Sequence, residues 1–431
     1  MYLPVGYTSK LISILGKDNI VISDERTVSD LDISFTTNIT LRDYQEKAVS
    51  ELLKRTCGIV EAPTGTGKTY ILIEMIKRRN QNTLILVDSY ELAEDMIRKL
   101  VETTNLTEKD IGKLWGGTRW NIGHQGHQAQ HGPSVTVGLL QTVRLLSTQE
   151  LNHLNQKFGQ VLVDEIHIIA APTYYDCMNR LHMRYRYGFS ATPERTDGLT
   201  PVLFFITGPK AITVTNEETQ DVTVQPTITV INTDFTWPLI DTEEYSYMVS
   251  DLGVDKNRNK LIVDHYNSMG FENTMTVFLC SRRSQIYELW TMLGKDGGVL
   301  ISRMDADAKQ SMKEYCGLSD EEIMEFNKFC NKSHRKKILS HLQTGKINKI
   351  FATIKKFNKG IDADLLEKMY ICGPTKSPIL LRQSKGRLVR KFKNGTEKHP
   401  EIFFFHDIKQ SLLKTQGYQA IRILKEAVKT Q

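Results

Sequence analysis

The chain has 431 residues, of which 25% are charged and 40% hydrophobic, and at about 150 residues per domain this length predicts two to three domains. The composition is that of an ordinary globular protein. No apolar run is long enough to cross a membrane, and no signal peptide is evident. The six cysteines are scattered without a C-x-x-C pair, as in reduced proteins. We expect a cytoplasmic protein, in the host cytoplasm if it is viral, without a membrane partner.

The formal net charge of +6 is unevenly distributed along the chain. The stretch from residue 332 to residue 400, here called the basic stretch, holds 18 Lys and Arg against four Asp and Glu. Its net charge of +14 leaves −8 for the rest of the chain. Such an excess predicts a surface that faces a polyanion, and a solvated lysine-rich face is the alternative.

Residues 1 to about 35 lack a strong helical period and predict a small N-terminal accessory element. From Leu41 onward, apolar strand runs alternate with amphipathic helices, which predicts an α/β fold with a doubly wound parallel sheet. The predicted strands are Gly58–Glu61, Thr83–Asp88, Ser134–Leu139, Gln160–Asp164 and Tyr187–Ser190.

The alternation is lost over 197–237, which we interpret as a bridge that is partly β. A second series of strands follows at Thr274–Cys280, Lys349–Thr353, Lys368–Cys372 and Glu401–Phe405, with helices that include Ile379–Lys385. A helical insertion is predicted at about 305–331. The predicted division is therefore 1–35 for the accessory segment, 36–235 for a first lobe with the bridge, and 236–431 for a second lobe.

The first motif with a chemical meaning is a glycine loop between a strand and a helix, Ala62–Thr69. Backbone N–H groups and the positive end of the helix dipole in such a loop point at nucleotide phosphates. Lys68 would reach the outer phosphates, and the Thr69 hydroxyl would ligate Mg²⁺. Ala62 stands where the commonest form of this loop has glycine. The loop residues that would cradle the nucleotide are Thr64, Gly65, Thr66 and Gly67.

An acidic pair ends the predicted strand Gln160–Asp164. ATP hydrolysis needs one carboxylate near Mg²⁺ and another that polarises water. We assign Asp164 to the metal and Glu165 to the base. The hydroxyls after the next strand, Ser190 and Thr192, could couple this site to the rest of the lobe.

Side chains outside these strands complete a candidate nucleotide site. Upstream, Gln45 could match the N6/N7 edge of adenine, with Arg42 nearby. Downstream, Arg387 and Arg390 are three residues apart, and on a helix they would share a face and act as arginine fingers. Asp362 lies on a loop where it could bind ribose.

The ordered set of motifs resembles superfamily 2 DExH-type helicases and translocases over roughly residues 40 to 400. The motifs are Leu41–Gln45, Ala62–Thr69, Leu86–Leu92, Gly138–Thr142, Asp164–His167, Ser190–Thr192, Phe278–Arg282, Ala352–Asp362 and Gln383–Arg390. Asp164–His167, together with 190–198, resembles the DNA-acting group that includes XPB and the phage branch-migration helicases of the UvsW type.

The resemblance implies two RecA-like lobes that close on ATP with Mg²⁺, with DNA lying across both. It implies that Thr142, Thr353 and Arg282 contact nucleic acid, that His167 couples the sites, and that Gln383 contacts the nucleotide. Two departures are Ser384, where many relatives carry a basic residue, and the 305–331 insertion.

The histidines at 124, 127 and 131 could ligate zinc, but no cysteine or acid accompanies them. We prefer a polar loop near DNA in which Arg119 and Trp120 stack on bases. The leading hypothesis is a monomeric ATP-dependent DNA helicase or translocase that acts on forked or branched DNA. The alternatives are an RNA helicase, the motor subunit of a multisubunit restriction-type nuclease, and a catalytically silent nucleic-acid-binding module.

Overall fold

The computed structural model divides the chain into two compact units, Met1–Thr219 and Gln220–Gln431. The residues that the structure describes are 5–115, 118–119, 132–170, 172–193, 198–215, 217–219, 221, 223–238, 244–358, 365–375, 377–392 and 396–425. Within them, no helix has the length and apolar character needed to span a bilayer.

The first unit is built on an eight-stranded sheet, counted over its described residues, in the order β4-β3-β5-β2-β6-β7-β1-β8. All its pairings are parallel apart from that of β3 with β4. The strands are β1 Cys57–Glu61, β2 Thr83–Val87, β3 Ile111–Trp115, β4 Thr118–Arg119, β5 Val135–Leu139, β6 Gln160–Asp164, β7 Tyr185–Ser190 and β8 Lys210–Thr213. The helices are α1 Thr8–Leu15, α2 Asp43–Leu53, α3 Lys68–Arg79, α4 Tyr90–Thr103, α5 Leu140–Arg144, α6 Thr148–Lys157, α7 Pro172–Asn179 and α8 Thr200–Thr207.

Strand β2 shows why its continuous apolar run forms a central strand. Ile85 and Val87 join one buried cluster, whereas Leu84 and Leu86 join another. Successive side chains of a strand point to opposite faces, so helices must cover both faces of this sheet.

The second unit contains a six-stranded sheet over its described residues, in the order β11-β12-β10-β13-β14-β9, with parallel pairings throughout. The strands are β9 Thr227–Thr233, β10 Thr276–Cys280, β11 Gly298–Leu300, β12 Lys349–Thr353, β13 Lys368–Ile371 and β14 Glu401–Asp407. The helices are α9 Tyr245–Val254, α10 Lys256–Ser268, α11 Arg283–Met292, α12 Ala306–Cys316, α13 Asp320–Asn327, α14 Lys332–Gln343, α15 Ile354–Phe357, α16 Pro378–Leu388 and α17 Ser411–Lys425. The predicted class, two doubly wound parallel α/β sheets, is confirmed.

The predicted boundary between the lobes at 235/236 is wrong, because β9 pairs with β14 in the second sheet. The segment interpreted as a bridge is divided between the two units, with β8 in the first sheet and β9 in the second. Strand β9 lies at a sheet edge and mixes exposed with partly buried residues over most of its length, so it lacks the continuous apolar run of a central strand.

The N-terminal segment is part of the first unit. Its residues form isolated β-bridges, Thr27 with Met183 and Asp30 with Gln81, just before strands β7 and β2 begin. The Lys157 ammonium, at the end of α6, pairs with the Asp32 carboxylate at 2.6 Å. The segment therefore lies along the N-terminal edge of the sheet.

The predicted insertion at 305–331 is helical, comprising α12 and α13. The insertion packs against α11. Its residues Met312, Ile323 and Phe326 are buried in the same cluster as Ile286 and Leu289 of that helix. These contacts make the insertion part of the second unit's core.

A buried ion pair joins the carboxyl ends of strands in the second sheet. The Arg258 guanidinium donates two hydrogen bonds to Asp407, from Nε at 2.7 Å and from Nη2 at 3.2 Å. It also donates from Nη1 to the carbonyl of Cys372 at 2.5 Å. Both charged residues are 3% exposed, so solvent compensates little if either partner is lost.

Replacing Arg258 by Met should lower the free energy of unfolding by about 3–5 kcal/mol, because it leaves a buried carboxylate without its counter-ion. The same replacement at Lys409, whose ion pair with Asp234 is exposed to solvent, should lower the free energy of unfolding by less than about 1 kcal/mol. Urea denaturation of the full chain measures both. Equal losses of unfolding free energy in the two variants would contradict the stabilising role of the buried Arg258–Asp407 ion pair.

Candidate active site

Three adjacent strands of the first sheet, β6, β7 and β1, carry the candidate catalytic groups at their carboxyl ends. Strand β6 ends at Asp164, β7 ends at Ser190, and the glycine loop follows β1. The carboxyl ends of parallel strands meet at one edge of a sheet, which is where ligands of open α/β sheets bind. The functional roles predicted for these residues stay predictions.

The glycine loop has the backbone conformation that its sequence requires. Gly65 and Gly67 have φ angles of 91° and 77°, in the left-handed region that glycine enters at low cost. A Cβ atom on Gly67 would lie 2.6 Å from the Gln45 amide nitrogen. Helix α3 begins immediately after this turn, at Lys68, so its first N–H groups face the loop.

Lys68 is held by its own loop. Its ammonium donates hydrogen bonds to the carbonyl of Ala62 at 2.9 Å and to that of Pro63 at 3.2 Å. The Thr66 hydroxyl donates to the same Pro63 carbonyl at 2.7 Å. The amine therefore lies beside the turn, where a phosphate could replace these carbonyls as its partner.

Gln45 contacts the loop as well. Its Nε2 donates to the Thr66 carbonyl at 2.8 Å, and its Oε1 accepts from the backbone N–H of Arg42 at 3.0 Å. The Tyr44 hydroxyl donates to the same Thr66 carbonyl at 2.9 Å. Gln45 is 1% exposed. The structure thus gives Gln45 a loop-holding role that sequence reasoning missed, while contact of Gln45 and Arg42 with adenine stays a prediction.

We expect Gln45→Leu to weaken nucleotide binding by roughly tenfold, since unmade buried hydrogen bonds cost about 1–3 kcal/mol. Because the amide holds the loop, ATP and GTP should lose affinity equally, which titration with fluorescent analogues of both would measure. Tyr44→Phe removes the other donor to Thr66 and should have a smaller effect. A loss confined to ATP would instead identify an adenine contact.

The acidic pair has an unusual backbone. Glu165 has a φ of 53°, and for a residue other than glycine such a conformation costs about 1–3 kcal/mol and is concentrated at functional sites. The Glu165 N–H donates to Asp164 Oδ1 at 3.1 Å. A sharp turn of the backbone therefore lies at the second of the two neighbouring acids.

Burial, and then the charge of Glu165, raise the pKa of Asp164 to about 6, while the Lys68 ammonium opposes this shift. The Lys68 ammonium is therefore near enough to Asp164 to act on its charge. A bound divalent cation would supply much more positive charge and favour the ionised carboxylate.

The residues at this edge of the sheet suit Mg²⁺, which also takes phosphate and water ligands, better than a cation coordinated by protein groups alone. The described part of the chain holds no cluster of three or more His, Cys, Asp or Glu suited to a metal ion. Mg²⁺ in nucleotide sites is held by one or two carboxylates together with phosphates and water. Asp164 and the Thr69 hydroxyl, in the first turn of α3, are such a donor set.

Ser190 connects the acidic pair to the loop. His167 Nδ1 lies 3.2 Å from Ser190 Oγ and 3.3 Å from Glu165 Oε2. The Ala62 N–H donates to the Ser190 carbonyl at 3.0 Å, and the Thr192 N–H donates to Ser190 Oγ at 3.1 Å. These contacts bring together the residues predicted to couple the site.

In the second unit, the premise that Arg387 and Arg390 share a helical face is wrong. Helix α16 ends at Leu388, so Arg387 is in its last turn and Arg390 lies beyond it. The Arg387 Nη2 donates to the Asn358 carbonyl at 2.8 Å. The Ser384 hydroxyl contacts the Asn358 amide oxygen at 3.0 Å, so Ser384 packs inside the unit. The finger roles of both arginines stay predictions.

The candidate nucleic-acid contacts are distributed over both units. Thr142 lies in α5 just after β5, and Thr353 is the last residue of β12, so each is at the carboxyl edge of its own sheet. Arg282 precedes α11 and donates to Ser250 Oγ at 3.2 Å and Ser246 Oγ at 3.0 Å. Burial lowers the pKa of Arg282, and the structure thus gives this side chain an internal role.

Some predicted residues lie outside the described part of the chain. These are Trp120, Asp362 and the histidines at 124, 127 and 131. Arg119 is described only as a backbone residue of β4. Gln383 lies in α16, one turn before Arg387.

Residues 38–195 match the family described as "Type III restriction enzyme, res subunit". The "DNA 3'-5' helicase XPB" of Mycobacterium tuberculosis is 31% identical over 174 residues, which are 39% of this chain and 30% of that protein. A protein of Acanthamoeba polyphaga mimivirus, provisionally named an ATP-dependent RNA helicase, is 22% identical over 396 residues, 88% of this chain and 66% of its own length. The chain spans about a third of the length of the XPB relatives that it matches. The predicted resemblance to superfamily 2 helicases, and to XPB among them, is confirmed.

Among solved structures, the Pyrococcus furiosus Hef helicase domain matches with a TM-score of 0.54 and 13% identity. The match covers 89% of this chain and 98% of that one. At this identity the likeness concerns the fold alone. It confirms that the two α/β units are RecA-like.

Proposed function

We propose that this protein is an ATP-dependent DNA helicase or translocase that remodels forked or branched DNA. The observation that carries the proposal is the continuous set of contacts from Lys68 through Ala62 and Ser190 to His167 and Glu165. These contacts join a phosphate-binding loop to a candidate base. Such a connection is what an enzyme needs to couple ATP hydrolysis to movement elsewhere in the molecule.

Each group has a role in phosphoryl transfer. Lys68 would bind the outer phosphates, and Thr69 with Asp164 would hold Mg²⁺, which neutralises phosphate charge when bound. Glu165 would orient and deprotonate the attacking water. His167 would hold the Glu165 carboxylate through their 3.3 Å contact and would respond to changes at that carboxylate. Arg387 and Arg390 would stabilise charge on the transferred phosphoryl group.

The preference for DNA rests on the relatives. The XPB proteins of Mycobacterium tuberculosis and Kineococcus radiotolerans, both above 30% identity, are named DNA helicases. The basic stretch would supply phosphate contacts, although two of its lysines, Lys368 and Lys398, are buried and cannot contribute. Contacts of this kind are independent of sequence.

An RNA helicase is the second candidate, favoured by the mimivirus relative that aligns over 88% of this chain. The family name of the match at 38–195 favours the motor of a restriction enzyme as a third. That function predicts a stable partner and weak unwinding by the isolated chain. A 2′-hydroxyl distinguishes RNA from DNA at a binding site, so a substrate comparison separates the first two.

Glu165→Gln should retain ATP binding and lose hydrolysis by about 10²–10⁴-fold, the usual contribution of a general base. The amide keeps the shape of the side chain but cannot accept the water proton. Steady-state phosphate release and equilibrium binding of an ATP analogue measure the two properties. Glu102→Gln, which changes an exposed acid on α4, is the matched control. Retained turnover in Glu165→Gln would refute the base assignment.

ATP hydrolysis should be stimulated by DNA, most strongly by forks or four-way junctions, and this stimulation should fall steeply as salt rises from about 50 to 200 mM, because phosphate contacts release counter-ions. A panel of fork, four-way junction, duplex, single strand and RNA measures the preference. Greater stimulation by RNA would decide for the second candidate. A rate indifferent to every nucleic acid would contradict the proposal.

A further inference from the structure

The chain enters the second unit beside one of the two predicted arginine fingers. Residues 223–226, here called the connecting segment, follow the boundary between the units at Thr219 and precede β9. Thr223 forms an antiparallel β-bridge with Arg390. The Val224 N–H donates to the carbonyl of Val389 at 2.8 Å.

A buried lysine holds the same backbone from another side. Lys398 is 2% exposed, and its ammonium donates to the carbonyl of Arg390 at 2.9 Å. The ammonium also lies 4.9 Å from the centre of the Phe392 ring. A buried ammonium is costly unless it is hydrogen-bonded, so its contact with Arg390 is a strong local constraint.

A further hydrogen bond follows where the connecting segment ends and β9 begins. The N–H of Thr227, where β9 begins, donates to the carbonyl of Pro400 at 2.9 Å. The strand then pairs with β14 from Glu401 onward. The carbonyls of Val389 and Pro400 are therefore both hydrogen-bonded to the stretch from Val224 to Thr227.

The two arginines are held by different means. Arg387 lies within α16 and donates to the Asn358 carbonyl, so the helix fixes its position. Arg390 lies beyond the end of α16. The connecting segment and Lys398 both contact the backbone of Arg390.

We propose that the connecting segment and Lys398 are positioning elements for Arg390, and that they set how well this arginine serves ATP hydrolysis. This inference rests on the proposed function, because it requires Arg390 to act as a finger. The segment is paired with the backbone of Arg390, whereas Arg387 is held within α16, so a displacement of the segment would move Arg390 more than Arg387.

Loss of positioning should appear in turnover and spare nucleotide affinity. An arginine finger acts on charge that develops in the transition state, and a displacement of about 1 Å can cost about 10²-fold in rate. ATP itself would be bound by the loop of the first unit. The expected signature is a lower kcat with an unchanged KM.

The first test compares two buried lysines of the second unit in the full-length protein. Lys398→Met removes the donor to Arg390 and should lower DNA-stimulated kcat by about tenfold or more, with KM for ATP within about twofold of wild type. Lys368→Met is the matched control, because Lys368 is also buried but donates to the carbonyl of His399 and pairs with Glu401. Its kcat should stay within about twofold of wild type.

The second test acts on the connecting segment. Val224→Pro removes the N–H that donates to Val389, whereas Val224→Ala keeps it. The proline variant should lose kcat as Lys398→Met does, and the alanine variant should not. If Lys398→Met does not fold, this pair decides the question.

Different results would refute the proposed function and the role of the connecting segment and Lys398. A wild-type protein without nucleic-acid-stimulated ATPase would refute the proposed function itself. With an active wild type, equal kcat in Lys398→Met and Lys368→Met, or equal kcat in the two Val224 variants, would overturn the inference. A rise in KM as large as the fall in kcat would also overturn it.

Discussion

The hydrogen bond from the Ala62 N–H to the Ser190 carbonyl joins the glycine loop to strand β7, and the rest of the candidate site depends on that attachment. It continues the parallel pairing in which Glu61 lies opposite Ser190. The neighbouring pairing sets Asp164 opposite Phe189. Because side chains alternate along a strand, a slip of one residue in either pairing would turn the candidate catalytic groups to the opposite face of the sheet.

The central elements of both sheets could be predicted because their sequences carry a strong signal. Strand β2 is a run of five buried residues, and the predicted Thr83–Asp88 differs from it by one residue. Strand β9 could not be assigned to the correct unit, because at a sheet edge only tertiary pairing with β14 shows where it belongs. The glycine loop, the acidic pair and the coupling residues each lie at the end of a strand that a local sequence pattern identifies. Because the carboxyl ends of parallel strands meet at one edge of a sheet, these residues lie near one another.

Side-chain contacts between distant residues are what the sequence could not supply. The amide of Gln45 reaches the Thr66 carbonyl, 21 residues away, and no pattern at Leu41–Gln45 specifies that partner. The spacing of Arg387 and Arg390 suits a helix, yet the Val389 carbonyl accepts from Val224 instead. A tertiary hydrogen bond has thus replaced the continuation of the helix, and local periodicity could not anticipate it.

The N-terminal edge of the first sheet carries stabilising contacts, whereas its carboxyl edge carries the candidate catalytic groups. At the N-terminal edge, the Asn82 side chain donates to Ser29 Oγ and Asp32, and Lys157 pairs with the same Asp32. These contacts fix the strands where no ligand is expected. At the carboxyl edge, the left-handed conformation of Glu165 stores conformational cost. A sheet held firmly at one edge can keep strained and polar groups in place at the other, and the proposed ATP site requires such support.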